Sequence, residues 1–355
     1  MKMKNRKIEM LILLAILTVA VCAAGCTSQG TESSTSKTRT VVDLDGRAVE
    51  IPEDVNRIVG TFPWIAWTIY AFNAEDKLIG TDSKSPNFLQ FDRLDPEYKK
   101  LPSVGFESEL NSEEIMKLDP EVVFCTTNSY EQLAKLGIPA IVLDPTNDWM
   151  NSVRVIGKVL KKEDRAEEII SYYNEITELT SSRTSDIPEN EKQKIYFAHM
   201  QKYTTMGGAN SYAPNSKSYT SRHVNFAGGI NVAEKLIGWN TKVDKEQLLA
   251  WDPDVIILVY GPLKEKTMSV EDFLSDPDLQ GIKAVKNKRV YDEGAYYIYW
   301  YHPTVGSCLG ILQMAKVMYP ERFEDVNVTK KAKEFDMKFF GRPYGGNAGG
   351  VDELN

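Results

Sequence analysis

The sequence is poor in histidine and cysteine, and after its first twenty-five residues it has no long apolar run. Its only histidines are His199, His223 and His302. They lie 24 and 79 residues apart and show no local ligand spacing, so no metal centre is expected from them. Four cysteines occur. Cys22 and Cys26 sit at the N-terminus, and Cys125 and Cys308 lie in distant regions without metal-type spacing. Those two read as buried thiols, and a structural disulfide is not expected. Also missing are the Gly-x-Ser-x-Gly elbow, the Gly-x-x-x-x-Gly-Lys phosphate loop and the His-Glu-x-x-His zinc helix, so neither an enzyme nor a resident cofactor is indicated. A basic excess is absent too. The net charge is −8, which does not favour nucleic acid as a partner.

What is present begins with Lys2, Lys4, Arg6 and Lys7, followed by an apolar stretch from Leu11 to Val21 and the small residues Ala23, Ala24 and Gly25 before Cys26. This is the pattern of a secretory signal over residues 1–25. Leu11 to Gly25 is 15 residues, short of the roughly 20 that span a bilayer. The box before Cys26 is similar to the lipoprotein processing site, although Ala23 stands where leucine is usual; Cys26 is then the lipid-bearing first residue. Residues 26–40 are rich in Ser and Thr and read as a flexible tether. The expected location is extracytoplasmic, lipid-anchored to the outer face of the cytoplasmic membrane.

Two stretches 133 residues apart repeat one design. Asn111-Ser112-Glu113-Glu114-Ile115-Met116-Lys117-Leu118-Asp119-Pro120 leads into Glu121 to Phe124, and Asp244-Lys245-Glu246-Gln247-Leu248-Leu249-Ala250-Trp251-Asp252-Pro253 leads into Asp254 to Ile257. In each copy a capping-box spacing opens a short helix, Asp-Pro stops it, and a buried strand follows. Two copies imply two similar α/β lobes and a cleft between them.

Around the repeats, Asp45-Gly46 between alternating apolar residues predicts a hairpin. Strands are predicted at Arg57 to Gly60, Lys77 to Thr81, Glu121 to Cys125 and Ala140 to Leu143, then at Lys194 to His199, Val255 to Tyr260 and Arg289 to Tyr291. Val224 to Leu236 reads as a Gly-containing turn and helix. Further helices are predicted at about Thr304 to Met318 and Lys330 to Phe340. The fold expected is α/β, with two Rossmann-like lobes at residues 41–148 and 190–340. One long rigid helix at 149–182, about 50 Å long, joins them. Residues 341–355 carry five glycines and read as a disordered tail.

These residues resemble the class III substrate-binding proteins of ABC importers, which receive iron-siderophore, haem, cobalamin and, in some members, molybdate-type ligands. Besides the repeats, the resemblance rests on Arg57-Ile58-Val59, Leu101-Pro102-Ser103-Val104-Gly105, Ala227 to Ala233, Ile282 to Tyr291 and Tyr319 to Asp325. It covers roughly residues 40 to 340. It implies a monomer that captures an iron complex of the ferric siderophore type and delivers it to a permease dimer with its ATPase subunits. Molybdate or tungstate, cobalamin and haem are the alternative ligands, and a cell-surface enzyme or sensor is the remote one. In the family an acidic residue on each lobe docks onto arginines of the permease. Glu113 and Glu246 occupy the matching places.

Ligands of α/β sheets lie beyond the carboxyl ends of the strands, so the following loops supply the candidates Trp64, Lys84, Thr127, Tyr203 and Tyr260. Trp64 either stacks on a ligand or covers the lobe edge. Arg222, near Tyr219 and His223, offers a guanidinium to an anion or stands at the surface. The run Tyr296 to Tyr301 is the densest aromatic patch and contributes Tyr299 and Trp300, with one face toward the ligand or both faces packed. His302, held extended by Pro303, offers an imidazole to a metal or anion, or is a satisfied histidine.

Overall fold

The computed structural model describes residues 37–85, 94–107, 109–199, 202–206, 218–238, 240–259, 269–292 and 302–342. Asp45-Gly46 turns the expected hairpin between β1 (Thr38–Val42) and β2 (Ala48–Pro52), with Gly46 at φ 80°. Next come β3 (Ile58–Gly60), α1 (Pro63–Ala71), β4 (Leu78–Gly80), the small hairpin β5 (Gly105–Phe106) and β6 (Glu109–Leu110), α2 (Ser112–Leu118), β7 (Val122–Cys125), α3 (Thr127–Lys135) and β8 (Ala140–Val142). Strands β4-β3-β7-β8 form one parallel sheet.

Helices α4 (Trp149–Leu160) and α5 (Glu163–Ser182) lead to the second lobe. It contains β9 (Lys194–His199), β10 (Thr204–Met206), α6 (Tyr219–Phe226), β11 (Ile230–Asn231), β12 (Asn240–Lys242), α7 (Lys245–Trp251), β13 (Val255–Val259), α8 (Val270–Leu274), α9 (Lys283–Lys286) and β14 (Val290–Asp292). Helices α10 (Ser307–Met318) and α11 (Val328–Phe340) follow. Here β9, β13 and β14 run parallel, β11 pairs parallel with the start of β9, and β10 and β12 extend the sheet antiparallel.

Alternation along the central strands builds three layers. Val122 and Phe124 of β7, Ile195 and Phe197 of β9, and Val255, Ile257 and Val259 of β13 face one continuous core shared with α1, α4, α5, α10 and α11. Their neighbours Val123 and Cys125 point to an outer core of the first lobe, and Tyr196, Ala198, Ile256 and Leu258 to an outer core of the second. Strands covered on both faces need continuous apolar sequence, which is why these runs are readable.

The repeat is a structural repeat as well. Asn111 Oδ1 accepts the Glu114 amide at 3.1 Å and Asp244 Oδ1 the Gln247 amide at 2.6 Å. Each helix ends on a left-handed Asp, Asp119 at φ 46° and Asp252 at φ 45°. Glu121 Oε2 then accepts the Arg57 amide at 3.0 Å, as Asp254 Oδ2 accepts that of Lys194 at 2.8 Å. Arg57 donates to the Leu118 carbonyl, and Lys194 Nζ to that of Trp251 at 3.4 Å. The reciprocal half of a capping box is recorded at Ser269 and Asp272 rather than in the repeat.

Three expectations need correction. The connector is not one helix: the chain breaks at Lys161, in left-handed conformation at φ 54°. There α5 folds back along α4, with a Cβ built on Gly157 only 2.9 Å from Ala166 Cβ and Arg154 Nε 2.7 Å from Glu167 Oε1. Hydrogen bonds with the first lobe hold the break: Arg39 donates to the Lys158 and Val159 carbonyls, and Lys162 Nζ, at the break, donates to those of Phe72 and Asn73. The crossing is left to the 20 residues of α5, about 30 Å. Second, the helix expected after the glycines at 228 and 229 precedes them as α6. Gly228 turns the chain at φ 82°, where its missing Cβ makes room for Thr184, and Ile230–Asn231 is a strand. Third, residues 190–340 do not close on themselves, because α11 returns to the first lobe. Phe340 packs on Trp67 of α1 at 5.6 Å between centroids, and Arg165 of α5 joins the carboxyl ends of both helices through Ala71 O and Phe339 O.

Cys125 and Cys308 are buried and unpaired. Burial pushes the Cys125 thiol up to about 12, and raises that of Cys308 as well. The expected leader, the tether up to Ser36 and the tail from Pro343 lie outside the described residues, whereas Thr38 to Thr40, expected in the tether, belong to β1.

Candidate ligand-binding cleft

In both lobes the chain-order switch falls beside the first strand, between β3 and β7 and between β9 and β13. Side chains after those strands are thereby brought to one crevice. Trp64, in the first turn of α1, meets His302, which follows β14 and precedes α10. Their rings stack at 4.4 Å between centroids, 26° apart in plane. Trp64 is 7% and His302 1% exposed, so the two lobes close on each other here.

The opposite side of His302 is organised by α6. Tyr219 Oη lies 2.7 Å from His302 Nδ1. Burial holds the imidazole neutral, its pKa well below the ordinary value, and the nearby His199 and His223 add to that. With the phenol donating to Nδ1, the second proton position is Nε2. One turn on from Tyr219, Arg222 Nη2 crosses to the Thr146 carbonyl after β8 at 2.9 Å. Desolvation lowers the Arg222 pKa, yet a guanidinium keeps its charge. His223 is buried, its Nδ1 has no hydrogen-bond partner among the described residues, and desolvation, then Arg222, lowers its pKa to about 3. Among the described residues no group of His, Cys, Asp or Glu is arranged to hold a metal ion.

The first lobe supplies an aromatic and cationic rim. Phe62 meets Trp64 edge-on at 6.0 Å and stacks on Phe106 at 5.9 Å. Lys84 Nζ stands 5.7 Å from the centre of the Phe106 ring. Asp82 builds the turn that presents this lysine, accepting the Lys84 and Ser85 amides at 2.8 Å; burial raises its pKa.

Trp64, Arg222 and His302 therefore come together, with Lys84 at the rim. Thr127 does not join them: it is exposed, and Oγ1 lies 3.4 Å from Asp45 Oδ2 of the N-terminal hairpin. Tyr203 is also elsewhere. It packs on the outer core of the second lobe, near Asp276 and Lys245. Tyr260, Tyr299 and Trp300 lie outside the described residues. Sequence reasoning missed Phe106 and Thr146; searching the loops after β8 and before the first repeat would have found them. Glu113 and Glu246 stand exposed at the same second position of α2 and α7, without an ion pair among the described residues.

No helix among the described residues is long and apolar enough to cross a membrane. The molybdate-binding protein MolA of Haemophilus influenzae is 26% identical over 335 residues, 86% of this chain and 92% of its own. The Fe(3+)-citrate-binding protein YfmC of Bacillus subtilis is 25% identical over 290 residues, covering 79% and 86%. A periplasmic solute binding protein from Veillonella parvula superposes with a TM-score of 0.74 at 28% identity, over 86% of this chain and 94% of that one. The periplasmic binding protein family model matches residues 58–297, from the first strand of one sheet to beyond the last strand of the other. With two such lobes meeting at the carboxyl ends of their sheets, the chain belongs to the periplasmic binding protein family.

Proposed function

We propose that this extracytoplasmic substrate-binding protein captures an anionic metal complex of the ferric chelate type and delivers it to the permease of its ABC importer. The observation that carries the reading is the convergence of Trp64 from one lobe with His302, Tyr219 and Arg222 from the other. It combines a permanent cation, neutral hydrogen-bonding groups and an aromatic ring where the two lobes meet, Trp64 and His302 buried and Tyr219 and Arg222 partly so. Such a set suits a compact anion with an apolar face. Similarity to the Fe(3+)-citrate-binding protein supports the chelate. A second reading, a molybdate-type oxyanion, is supported by similarity to MolA and by the three clustered histidines.

Calorimetric titration with ferric citrate, molybdate and tungstate tests both, alongside metal analysis of protein purified from its own membranes. Binding of ferric citrate with micromolar or tighter affinity supports the chelate. A response to the oxyanions alone replaces it with the second reading, and no response to any of them sinks both.

On the same reading, Glu113 and Glu246 dock the two lobes onto the permease dimer, and Cys26 carries the lipid that keeps a monomeric body at the membrane after residues 1–25 are removed. Residues 41–148 and 190–340 remain the proposed lobes, with the final helix bridging back.

A further inference from the structure

Three imidazoles and a guanidinium gather on the second-lobe side of the cleft. His199 ends β9, His223 lies on α6 and His302 precedes α10, and all three are buried. The Tyr219 ring joins two of them, its centroid 6.0 Å from that of His223 and 5.9 Å from that of His302. Its Oη engages His302 Nδ1, whereas His223 Nδ1 has no hydrogen-bond partner among the described residues. Burial, and then the positive charge of the neighbouring Arg222, hold His223 neutral with a pKa of about 3. Asp144, after β8, acts on Arg222 from the other lobe. Helix α6 packs on β11, α5 and α10. Asn231 of β11 is uncharged, burial keeps the Tyr173 phenol of α5 and the Cys308 thiol of α10 protonated, and Lys316 of α10 turns to the Val326 carbonyl. A buried neutral base beside a fixed cation gains proton affinity when an anion arrives, because the anion offsets the cation and attracts the second proton.

We infer that anion capture in this cleft is coupled to proton uptake: as the ligand comes to Arg222, a proton from solvent adds to the bare ring nitrogen of His223, and the complex forms more readily as the pH falls. The inference rests on the reading of the cleft as a site for an anion, and it holds for a ferric chelate and for an oxyanion alike. Linkage gives the sign. His223 carries fewer protons in the free protein than in the complex, so affinity declines as pH rises, by at most about tenfold per pH unit for one proton. An opposite charge at about 4–6 Å moves a pKa by about 1–3, enough to bring His223 up from about 3 toward pH 6 when the ligand carries more than one charge. His302 is the poorer acceptor, since its Nδ1 already receives the Tyr219 phenol and charging it would require that hydroxyl to turn away.

Calorimetric titrations of the purified full-length protein with ferric citrate, molybdate and tungstate, at pH 6 and pH 8 and in buffers of different ionisation enthalpy, count the protons taken up. The same titrations of His223→Gln cancel the protonation of the ligand itself. For a probe that binds, the parent is expected to take up about 0.3–1 proton more than the variant at pH 6, and its gain in affinity from pH 8 to pH 6 should exceed that of the variant about 3- to 10-fold. Equal proton counts in parent and variant overturn the coupling and leave the cleft reading intact; binding of none of the three probes removes both. Should His223→Gln fail to fold, NMR of the parent decides. The chain has three histidines, so ring-labelled histidine gives one imidazole signal for each, assigned through His199→Gln and His302→Gln. With molybdate, or with gallium citrate as the diamagnetic stand-in for the ferric complex, the His223 signal should move toward the imidazolium position at pH 6 and not at pH 8. A His223 signal that keeps its neutral position at pH 6, or a change confined to His199 or His302, overturns the inference.

Discussion

The imidazole of His302 lies flat on the indole of Trp64, 4.4 Å between centroids, and by this contact a segment at the end of the second sheet closes on the first helix of the other lobe. Of the two roles that the sequence left open, Trp64 covers the lobe edge, its ring stacked on His302; stacking on a ligand is the part put to the test. Replacing it with phenylalanine keeps an apolar ring but shrinks the stacking surface. We expect Trp64→Phe to fold and to lose about 1 kcal/mol of ligand affinity, roughly fivefold, in calorimetric titration. Unchanged affinity would remove Trp64 from the site.

Acidification should destabilise the protein through buried histidine. His302 and His223 are held neutral with pKa values below the unfolded value of about 6.5, His223 at about 3. Below about pH 6.5 the unfolded chain binds protons that the folded chain refuses, so stability is full above that pH and declines beneath it. For His223 the decline runs from about 6.5 down to about 3, at roughly 1.4 kcal/mol per pH unit. Urea melts at a series of pH values should show this slope, and it should shrink in His223→Gln. An unchanged slope in that variant would assign the acid sensitivity elsewhere.

Arg165 ties three helices. It donates to Ala71 O at 2.9 Å, Lys338 O at 2.9 Å and Phe339 O at 3.2 Å, and its guanidinium lies 4.7 Å from the Phe339 ring centre. Arg165→Ala leaves two helix ends short of donors and should cost about 1–3 kcal/mol in chemical denaturation. Arg165→Lys, which lacks the fork, should recover only part of it.

Glu113 and Glu246 should matter to transport and not to folding. Both are exposed in the first turns of equivalent helices. Reversing both to arginine should alter stability by less than about 1 kcal/mol and leave ligand affinity intact. Uptake through the reconstituted importer should fall steeply, because each docking charge would then face a like charge. Full transport by the double variant would assign docking to other residues.

Much of this architecture was written locally. The paired caps of Asn111 and Asp244, the left-handed Asp119 and Asp252, and the strands beginning at Val122 and Val255 are set by neighbours within a few residues. That is why the two-lobed design was legible from one chain. That Trp64, Lys84, Arg222 and His302 lie toward the meeting of the lobes was legible for a related reason: strand ends and helix starts mark where parallel sheets open.

The break at Lys161 was not legible. Both α4 and α5 bury apolar faces at helical spacing, so periodicity runs through the junction without a signal. What bends the chain there is the contact of Gly157 with Ala166 and the donors of Arg39 and Lys162, whose partners lie elsewhere in the sequence. The misplacement of Tyr203 has a similar origin, since a strand-end loop can turn to either face of its sheet and the outer core claimed this one. The sequence by itself therefore determined the repeated helix and strand units, because capping, helix termination and strand burial depend on adjacent residues. The tertiary structure alone decided which side chains share the cleft. Trp64 and His302 stand 238 positions apart, and only the packing of two sheets onto one core puts their rings in contact.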